Sequence, residues 1–585
     1  MRTSLLCSFT CFLAFAHAVR SQTASEVWAS RYNGPWNGED FATAVGVDSA
    51  GNVAVTGLIN GYGSTDYYTA KYSADNGALL WEKRYGQANG YDNGYALAVD
   101  ALGNVIVTGS SDNARFNGDI YTAKYAATDG ALIWERRYNG PADSYDRGYS
   151  VTVDAAGNVI VTGYSYSSPV LDTGDYYTAK YAAADGELLW EMRYNGTGND
   201  DDWASGVAVD FGGNVAVTGR SKNGAGNDDI YTAKYAASDG ALLWEKRYNG
   251  PANKNDAGNS IAVDSAGNVV VTGISNSANS TPDYYTAKYA AADGSLLWEQ
   301  RYNSPADAHD IGTSVAVDAS GNVFVTGRSS TFSQDYYTVK YAAGDGTVLW
   351  ERRFGVPSHY ESAYSVATDA AGNAVVTGHT FNGNDDDYYT VKYAAADGAV
   401  LWEARSVGPP NTNSLIDLGV PYTGKLAITK DGGAVVTGHS YNGTNWDYAT
   451  VRYAPPVGDF DGDGLQDWWE MMWWGTTTGH AALDDLDGDG LPDLVELAFG
   501  INPKMSDRAA LPPVANEGGY LTITISKRVG VAYEVQTAGD VDTAAFTPAT
   551  TTVLVDNGTT LKVRDNITIS AATSRYLRVK VAAAP

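Results

Sequence analysis

The chain has 585 residues, of which 44% are apolar and only 18% are charged, which excludes a mainly disordered protein. Its 65 glycines, 41 tyrosines and 15 tryptophans stand against five methionines. This composition favours β structure, because glycine weakens helices and aromatic residues favour strands. The 68 acidic residues outnumber 39 basic ones, for a net charge of −29. Such a field repels phosphate backbones, so nucleic acid is not an expected partner, whereas cations are.

The N-terminus has the pattern of an export signal. A positive residue is followed by an apolar run from Leu5 to Ala16, and the small-residue site that ends at Ala18 predicts cleavage there. Both cysteines, Cys7 and Cys11, lie inside residues 1–18, so the exported chain is expected to rely on packing or bound metal rather than disulfides. After the signal, the sequence contains no run of about 18 apolar residues, so no transmembrane helix is predicted. The predicted location is secreted or at the cell surface.

A long-period repeat follows the signal. Its tryptophans are 52 to 56 residues apart and are Trp28, Trp81, Trp134, Trp190, Trp244, Trp298, Trp350 and Trp402. One unit contains four strand-like runs, YSVTVD, VIVTG, DYYTAKY and ELLWEMRY, which two short Asp- and Gly-containing turns join in pairs. The first of these turns begins in successive units at Asp48, Asp100, Asp154, Asp210, Asp264, Asp318, Asp369 and Asp431. Repeated four-stranded units predict an all-β fold, a β-propeller.

The two ends of the repeat are complementary. It begins at residues 27–33 with a fourth strand and stops at residues 447–453 with a third. We therefore predict an eight-bladed β-propeller over residues 26–453, with four strands per blade and the N-terminal strand closing the last blade. The alternative is an open β-solenoid.

Two segments of the repeat resemble known families. AAADGELLWE (182–191) resembles the tryptophan-docking repeat of pyrroloquinoline-quinone-type (PQQ-like) eight-bladed propellers, and DAAGNVIVTG (154–163) resembles bacterial secreted β-propeller (SBBP-type) repeats. Together the resemblance covers residues 27–453. It implies the propeller fold and, as one possible activity, a quinone-type oxidoreductase. Enzymes of that type hold the quinone against a vicinal disulfide and a calcium ion, and after signal cleavage this chain has no cysteine to form one.

Positions that recur in every unit are interpreted as scaffold, because one active site does not need eight copies. They include an Asp before the third strand, a basic residue five positions later and an Arg three positions after the tryptophan, which we assign to turn caps and cross-strand charge pairs. The repeat tryptophans are assigned to packing between blades. Trp36, Trp203 and Trp446 fall outside the register, in predicted loops, and are better candidates for ligand contact.

An acidic residue stands eight positions before the hairpin aspartate in seven of the eight units. The seven are Asp40, Asp92, Asp146, Asp202, Asp256, Asp310 and Glu361. First strands usually line a propeller's channel, so these carboxylates are a candidate cation ring at one mouth. In the alternative interpretation each carboxylate accepts local backbone N–H groups at the start of a strand.

Two twelve-residue acidic loops follow the propeller, DFDGDGLQDWWE from Asp459 and DLDGDGLPDLVE from Asp485. Oxygen ligands occupy positions 1, 3, 5, 7, 9 and 12, with glycine at position 6, as in calcium loops. The first set is Asp459, Asp461, Asp463, the Leu465 carbonyl, Asp467 and Glu470; the second is Asp485, Asp487, Asp489, the Leu491 carbonyl, Asp493 and Glu496. We predict two Ca²⁺ sites whose filling is coupled to folding; the alternative is a merely solvated acidic stretch.

The region 454–504 with these EF-hand-type loops resembles bacterial thrombospondin type-3-like calcium repeats, which implies a structural spacer. From about residue 509 to 585, alternating runs such as YLTITIS and YLRVKV predict a C-terminal β-sandwich. It resembles the β modules that end many exported bacterial proteins, which implies attachment.

The sequence favours an exported, non-catalytic and monomeric binding or scaffold protein. Loops that differ between units, such as 60–64, 165–173 and 223–227, are the expected contact surface for a protein or glycan. No HExxH motif or GxSxG elbow is present. The alternatives are a quinone-type oxidoreductase or a carbohydrate-active enzyme built on the propeller.

Overall fold

The protein is described by a computed structural model. The structure describes residues 22–61, 63–87, 90–168, 173–330, 333–356, 359–381, 386–406, 414–415, 425–456, 465–466, 469–470, 473–474, 480–506, 511–528, 531–538, 547–557, 559–568 and 576–583. The predicted signal peptide, residues 1–18, lies outside these ranges, as do Asp459, Asp461, Asp463 and Asp467 of the first acidic loop.

Two short strands open the described chain, and six four-stranded sheets follow in chain order. The opening strands are β1 (Gln22–Thr23) and β2 (Ser25–Tyr32). Sheet 1 is β3 (Asp40–Val47), β4 (Val53–Asn60), β5 (Thr65–Tyr72) and β6 (Leu79–Tyr85), and sheet 2 is β7 (Asp92–Val99), β8 (Val105–Asp112), β9 (Gly118–Tyr125) and β10 (Leu132–Tyr138). Sheet 3 is β11 (Asp146–Val153), β12 (Val159–Ser168), β13 (Thr173–Tyr181) and β14 (Leu188–Tyr194), and sheet 4 is β15 (Asp202–Val209), β16 (Val215–Lys222), β17 (Asp228–Tyr235) and β18 (Leu242–Tyr248). Sheet 5 is β19 (Asp256–Val263), β20 (Val269–Asn276), β21 (Pro282–Tyr289) and β22 (Leu296–Tyr302), and sheet 6 is β23 (Asp310–Val317), β24 (Val323–Ser330), β25 (Gln334–Tyr341) and β26 (Val348–Phe354).

Sheets 7 and 8 combine strands from both ends of the repeat. Sheet 7 is β27 (Ser362–Thr368), β28 (Ala374–Phe381), β29 (Asp386–Tyr393) and β30 (Val400–Ser406), with β1 parallel to β30 at its edge. Sheet 8 contains β31 (Ser414–Leu415), β32 (Leu426–Ile428), β33 (Ala434–Tyr441) and β34 (Trp446–Ala454), and β2 supplies its outer strand. β2 runs antiparallel to β34, with Trp28 opposite Arg452. The N-terminal strand therefore pairs with the last strand of the repeat.

The apolar core lies between neighbouring sheets. In one cluster Ile160 and Trp190 of sheet 3 pack on Val215, Val217 and Tyr231 of sheet 4. The second and third strands are buried along almost their whole length, as in β8 and β9, whereas the fourth strand exposes its first two residues and buries the tryptophan that follows them. A single sheet has no core of its own, and burial of apolar area drives neighbouring sheets to pack on one another.

The repeat tryptophans join consecutive sheets, as the sequence predicts. Each indole is at least nine-tenths buried. Seven donate Nε1–H to a turn carbonyl of the following sheet at 3.0–3.3 Å: Trp28 to Ala74, Trp81 to Ala127, Trp134 to Ala183, Trp190 to Ala237, Trp244 to Ala291, Trp298 to Ala343 and Trp350 to Ala395. The indole N–H of Trp402 has no hydrogen-bond partner among the described residues. In the other sheets the hairpin between the third and fourth strands supplies this carbonyl. Sheet 8 has no such hairpin, because its strands β34 and β2 come from opposite ends of the repeat.

The recurring charges form two sets of ion pairs. The basic residue of each third strand pairs with the hairpin aspartate of its own sheet: Lys71–Asp48, Lys124–Asp100, Lys180–Asp154, Lys234–Asp210, Lys288–Asp264, Lys340–Asp318, Lys392–Asp369 and Arg452–Asp431. In five sheets the arginine after the tryptophan pairs with the aspartate at the start of the third strand: Arg137–Asp119, Arg193–Asp175, Arg247–Asp229, Arg301–Asp283 and Arg353–Asp335. The lysine pairs are buried, and loss of one partner destabilises a buried pair more than an exposed one.

The C-terminal part contains helix α1 (Asp493–Phe499) and two small sheets. One sheet is formed by β35 (Val514–Glu517), β36 (Tyr520–Ser526), β38 (Thr551–Asp556) and β39 (Thr560–Asp565); the other is formed by β37 (Val531–Ala538) and β40 (Tyr576–Ala583). Ile523, Ile525, Leu561 and Val563 of the first sheet pack on Val535 of the second. A short 3₁₀ turn spans Pro548–Thr550. Within the described residues, none of the helices has the length and apolarity that crossing a membrane requires.

Candidate functional site

The second acidic loop gathers its carboxylates at one point. One carboxylate oxygen each from Asp485, Asp487 and Asp489 lies within 4.8 Å of the other two. The loop turns through Gly490, whose φ of 86° is left-handed, a conformation that costs glycine little. The Gly490 N–H donates to Asp485 Oδ2 at 3.0 Å and the Leu491 N–H to Asp489 Oδ1 at 2.8 Å. Asp485 and Asp489 thus accept backbone N–H groups of their own loop, and Asp485 stays exposed to solvent.

Asp493 and Glu496 complete the loop from the first turn of α1. Both are essentially inaccessible to solvent, and their four carboxylate oxygens have no hydrogen-bond donor among the described residues apart from one another. Burial, reinforced by the nearby Asp487 and Asp493 carboxylates, raises the pKa of Glu496 to about 8. Burial, followed by the charges of Asp484 and Asp485, raises the pKa of Asp493 to about 6. Carboxylates buried in this way fit a hard divalent cation, which is satisfied by oxygen ligands and offsets their repulsion.

The first loop is described only in part. Leu465 and Glu470 are buried, and Leu465 packs with Trp469 against Leu497 of α1 and Val531 of the C-terminal sheet. Ala371, from a turn of sheet 7, borders the same cluster. Trp469, near the end of the first loop, therefore packs on the helix that begins at the end of the second loop.

The acidic positions before the first strands are all buried, with no exposed area. Six of the seven carboxylates accept a backbone N–H from the preceding loop at 2.5–2.7 Å: Asp40 from Gly34, Asp92 from Gln87, Asp146 from Gly140, Asp202 from Gly196, Asp256 from Gly250 and Asp310 from Ser304. These are the contacts expected if each carboxylate accepts local backbone N–H groups at the start of a strand. Binding of a cation by the ring stays a prediction.

Burial also controls the ionisation of these acids. Burial raises the pKa of Asp40, Asp146 and Asp202 to about 6. It also raises the pKa of Asp92 and Asp256 above the usual value for aspartate. The accepted backbone N–H groups oppose this rise, because they stabilise the charged form.

Trp36 lines a cleft where sheet 8 meets sheet 1. The cleft has a volume of about 330 Å³, and its other lining residues include Glu39, Asn60, Thr444 and Asn445. The Trp36 side chain is 41% exposed. Asn445 donates its Nδ2–H to the carbonyl of Gly38, so the two ends of the repeat are joined at the floor of the cleft. An exposed aromatic ring beside amide and carboxylate groups forms an amphipathic surface.

The other two tryptophans outside the register are less available. Trp203 stacks on Tyr164 with ring centroids 5.2 Å apart and lies 4.0 Å under the Arg220 guanidinium. The Trp446 ring contacts the His439 ring edge-on, with ring centroids 4.7 Å apart. Of the three candidates in the sequence, Trp36 has the most accessible ring.

Sequence reasoning missed the partners of Trp36 in this cleft. Asn60 and Asn445 come from the first and the last sheets, and nothing in their local sequence distinguishes them from the many other asparagines. The sheet shared between the two ends of the repeat is the signal that could have located them, because pairing of β2 with β34 brings the loops of both ends together.

One family model matches residues 174–280 and 283–461, just under half of the chain, and its description is outer membrane protein assembly factor BamB. No curated protein matches. BamB from Moraxella catarrhalis is a similar solved structure, with 10% identity, 74% of this chain and 100% of that chain covered, and a TM-score of 0.39. Quinohemoprotein alcohol dehydrogenases are also similar: ADHIIG from Pseudomonas putida HK5 (11% identity, 75% and 77% covered, TM-score 0.41) and the enzyme from Comamonas testosteroni (10%, 75% and 78%, 0.42). The family match, together with the repeated four-stranded sheets, supports a PQQ-like β-propeller.

Proposed function

We propose that this chain is an exported, non-catalytic binding protein whose propeller binds a glycan through its unequal loops, with a calcium-stabilised spacer leading to a C-terminal attachment module. The observation that carries the proposal is the cleft at Trp36, which differs from the equivalent loops of the other sheets. A protein is the alternative ligand.

We also propose that the eight sheets are the blades of one closed ring. The support is a series of hydrogen bonds from each sheet to the next, such as Lys234 Nζ to the Gly267 carbonyl at 2.9 Å. The series includes the step from the last sheet to the first, where Arg452 donates to the Ala74 carbonyl at 3.0 Å. A ring held in this way is a rigid frame for loops that carry recognition.

The chemistry of the Trp36 cleft favours a sugar. A sugar ring has an apolar face that stacks on an indole, and its hydroxyls pair with amide and carboxylate groups such as those of Asn60, Asn445 and Glu39. By contrast, most of the recurring carboxylates are committed to ion pairs and backbone caps, which leaves them poorly placed for acid–base catalysis.

Glycan binding is tested with the full chain on a glycan array, followed by calorimetry with the best ligand. Trp36→Ala is expected to weaken binding at least about tenfold, because it removes the stacking face. Phe211→Ala is the matched control: Phe211 is 89% exposed but lies in the hairpin at the far end of a first strand. Unchanged binding by Trp36→Ala, or no glycan bound by the wild-type chain, contradicts the proposal. Release of sugar products would indicate a hydrolase or lyase instead.

Calcium binding by the spacer is supported by the buried carboxylates of Asp493 and Glu496, which among the described residues have no hydrogen-bond donor apart from one another. We expect calcium to raise the unfolding temperature of this region and EDTA to reverse the effect, since a cation that binds the folded state stabilises it. Glu496→Gln is expected to abolish most of the shift, whereas Glu517→Gln, which alters an exposed carboxylate paired with Lys562, leaves it intact. A calorimetric titration that shows no calcium uptake contradicts this part of the proposal.

A further inference from the structure

We propose that His480, Asp484 and Asp493 form a second cation site, distinct from the calcium loop, that takes a borderline divalent ion of the Zn²⁺ type. One ligand atom from each of the three residues lies within 4.8 Å of the other two. His480 stands five residues before the twelve-residue loop, and Asp484 immediately precedes it. The site goes beyond the glycan-binding function and shares only Asp493 with the proposed calcium site.

Two buried polar groups point to a ligand at this position. Asp493 has no exposed area, and apart from the neighbouring Glu496 carboxyl its two carboxylate oxygens have no hydrogen-bond donor among the described residues. The His480 Nδ1 atom is also buried and has no partner in the same part of the chain. A buried imidazole nitrogen and a buried carboxylate without donors cost free energy. A metal ion bound between them would remove that cost.

The backbone holds the three residues together. The Asp493 N–H donates to the Asp484 carbonyl at 2.7 Å, and the Leu494 N–H donates to the Ala482 carbonyl at 3.1 Å, which fixes the start of α1 against residues 482–484. Asp484 Oδ2 accepts the Ala481 N–H at 2.9 Å, which fixes the orientation of this carboxylate. The Trp474 ring stacks on the His480 ring with centroids 3.9 Å apart and shields it from solvent.

The ligand set separates this site from the calcium loop. Calcium selects oxygen ligands, whereas imidazole with carboxylates suits Zn²⁺ and its neighbours. Asp493 occupies position 9 of the loop, which often reaches calcium through water. Its two oxygens can therefore serve both ions, with water completing the shell of the second ion.

The test is a calorimetric titration of the full chain with Zn²⁺ in saturating calcium, with Co²⁺ as the spectroscopic probe. We expect one Zn²⁺ per chain that calcium does not displace, and a visible Co²⁺ absorption band. His480→Gln is expected to lower Zn²⁺ affinity at least about tenfold and abolish the band, as is Asp484→Asn. His309→Gln, which alters a propeller loop, is expected to change neither measurement.

The calcium isotherm of His480→Gln serves as the folding control, because His480 is not a loop ligand and should leave calcium uptake unchanged. The proposal is overturned if the wild-type chain takes up no Zn²⁺, if His480→Gln binds Zn²⁺ as tightly as wild type, or if calcium displaces the Zn²⁺. The last outcome would mean that Zn²⁺ merely occupied the calcium loop. Failure of the calcium proposal is distinguishable, because it appears as an absent calcium isotherm.

Discussion

A glycine in the hairpin between the third and fourth strands sits against the tryptophan of the preceding sheet. Gly240 has a φ of 73°, and a Cβ added there would lie 2.8 Å from Trp190 Cδ2. Gly226 has a similar φ of 82°, but nothing lies within 4 Å of its added Cβ. The two glycines therefore separate backbone strain from loss of indole packing.

We expect Gly226→Ala to cost about 1 kcal/mol of unfolding free energy, the penalty of a left-handed alanine. Gly240→Ala is expected to cost about 3 kcal/mol, because steric overlap with Trp190 adds to the same strain. Guanidinium chloride unfolding of the full chain measures both values. Equal losses in the two variants would show that the indole contact contributes nothing.

The buried lysine pairs make a second residue-scale prediction. Lys234 lies 2.8 Å from Asp210 and donates to two carbonyls of the next sheet. Although burial opposes it, hydrogen bonds from Lys234 and Asn214 lower the pKa of Asp210. Lys234→Met would leave that carboxylate buried and uncompensated, at a cost of roughly 3–5 kcal/mol.

The matched control is Lys222→Met in the same sheet. Lys222 pairs with Asp228 at 3.2 Å, but its side chain is partly exposed, so we expect a loss below about 1 kcal/mol. Denaturant unfolding at neutral pH compares the two variants. A loss in Lys234→Met no larger than that in Lys222→Met would refute a structural role for the buried pair.

Among the strands, β2 is the one that the N-terminal end of the repeat supplies to sheet 8. Without it, β34 would become an unpaired edge, and the Trp28 bond to the Ala74 carbonyl would be lost. Deletion of residues 22–32 is expected to lower the unfolding midpoint sharply and to promote aggregation. Deletion of residues 22–23 alone, which removes β1, should have a small effect.

A synthetic peptide covering residues 25–33 is expected to restore the midpoint of the longer deletion, because its strand can re-form the pairing with β34. Differential scanning calorimetry and size-exclusion chromatography record both effects. If the longer deletion unfolds at the same temperature as the shorter one, β2 does not hold the sheet together.

At this scale the sequence is highly informative where the repeat is regular. Tryptophan spacing and paired hairpins predict the four strands of each unit and the strand shared between the ends. They do not predict β1, since two residues paired with Trp402 and Glu403 carry no periodic signal. The lysine partners were also hidden: Lys71 and Asp48 are 23 residues apart, and the antiparallel pairing of β3 with β4 and of β4 with β5 brings them together.

The candidate sites show the same limit. The predicted calcium ligands follow a fixed spacing that the sequence shows directly, whereas Trp36 and Asn445 meet only because the two ends of the repeat come together. His480 lies outside the twelve-residue pattern, and α1 alone carries Asp493 to it. Contacts between residues that are far apart in the chain leave no local signature.

Across the whole molecule, two sets of buried aspartates respond to pH in opposite directions. In the capping set, burial raises the pKa of Asp40, Asp146 and Asp202 to about 6. In the lysine-paired set, hydrogen bonds from lysine and asparagine overcome burial and lower the pKa; its members are Asp48, Asp100, Asp154, Asp210 and Asp264.

The two sets act in different pH windows. A carboxyl with a raised folded pKa binds its proton more tightly in the folded state, so its stabilising effect is complete below the unfolded pKa of about 4 and is lost as the pH rises through about 6. A carboxylate with a lowered pKa stabilises the fold above about pH 4 and loses that effect as the pH falls. The propeller should therefore be most stable between about pH 4 and 5.

We expect the unfolding free energy, measured with denaturant in saturating calcium, to rise from pH 7 to about pH 5 by on the order of 1 kcal/mol per capping carboxyl, and then to fall below about pH 4. Calcium keeps Asp493 and Glu496 from adding a rise of the same sign. The triple variant Asp40→Asn, Asp146→Asn, Asp202→Asn should flatten the rise and keep the acid fall, because the lysine pairs are unchanged. A wild-type stability that declines steadily from pH 7 downward would show that the backbone N–H groups, not burial, control these carboxyls.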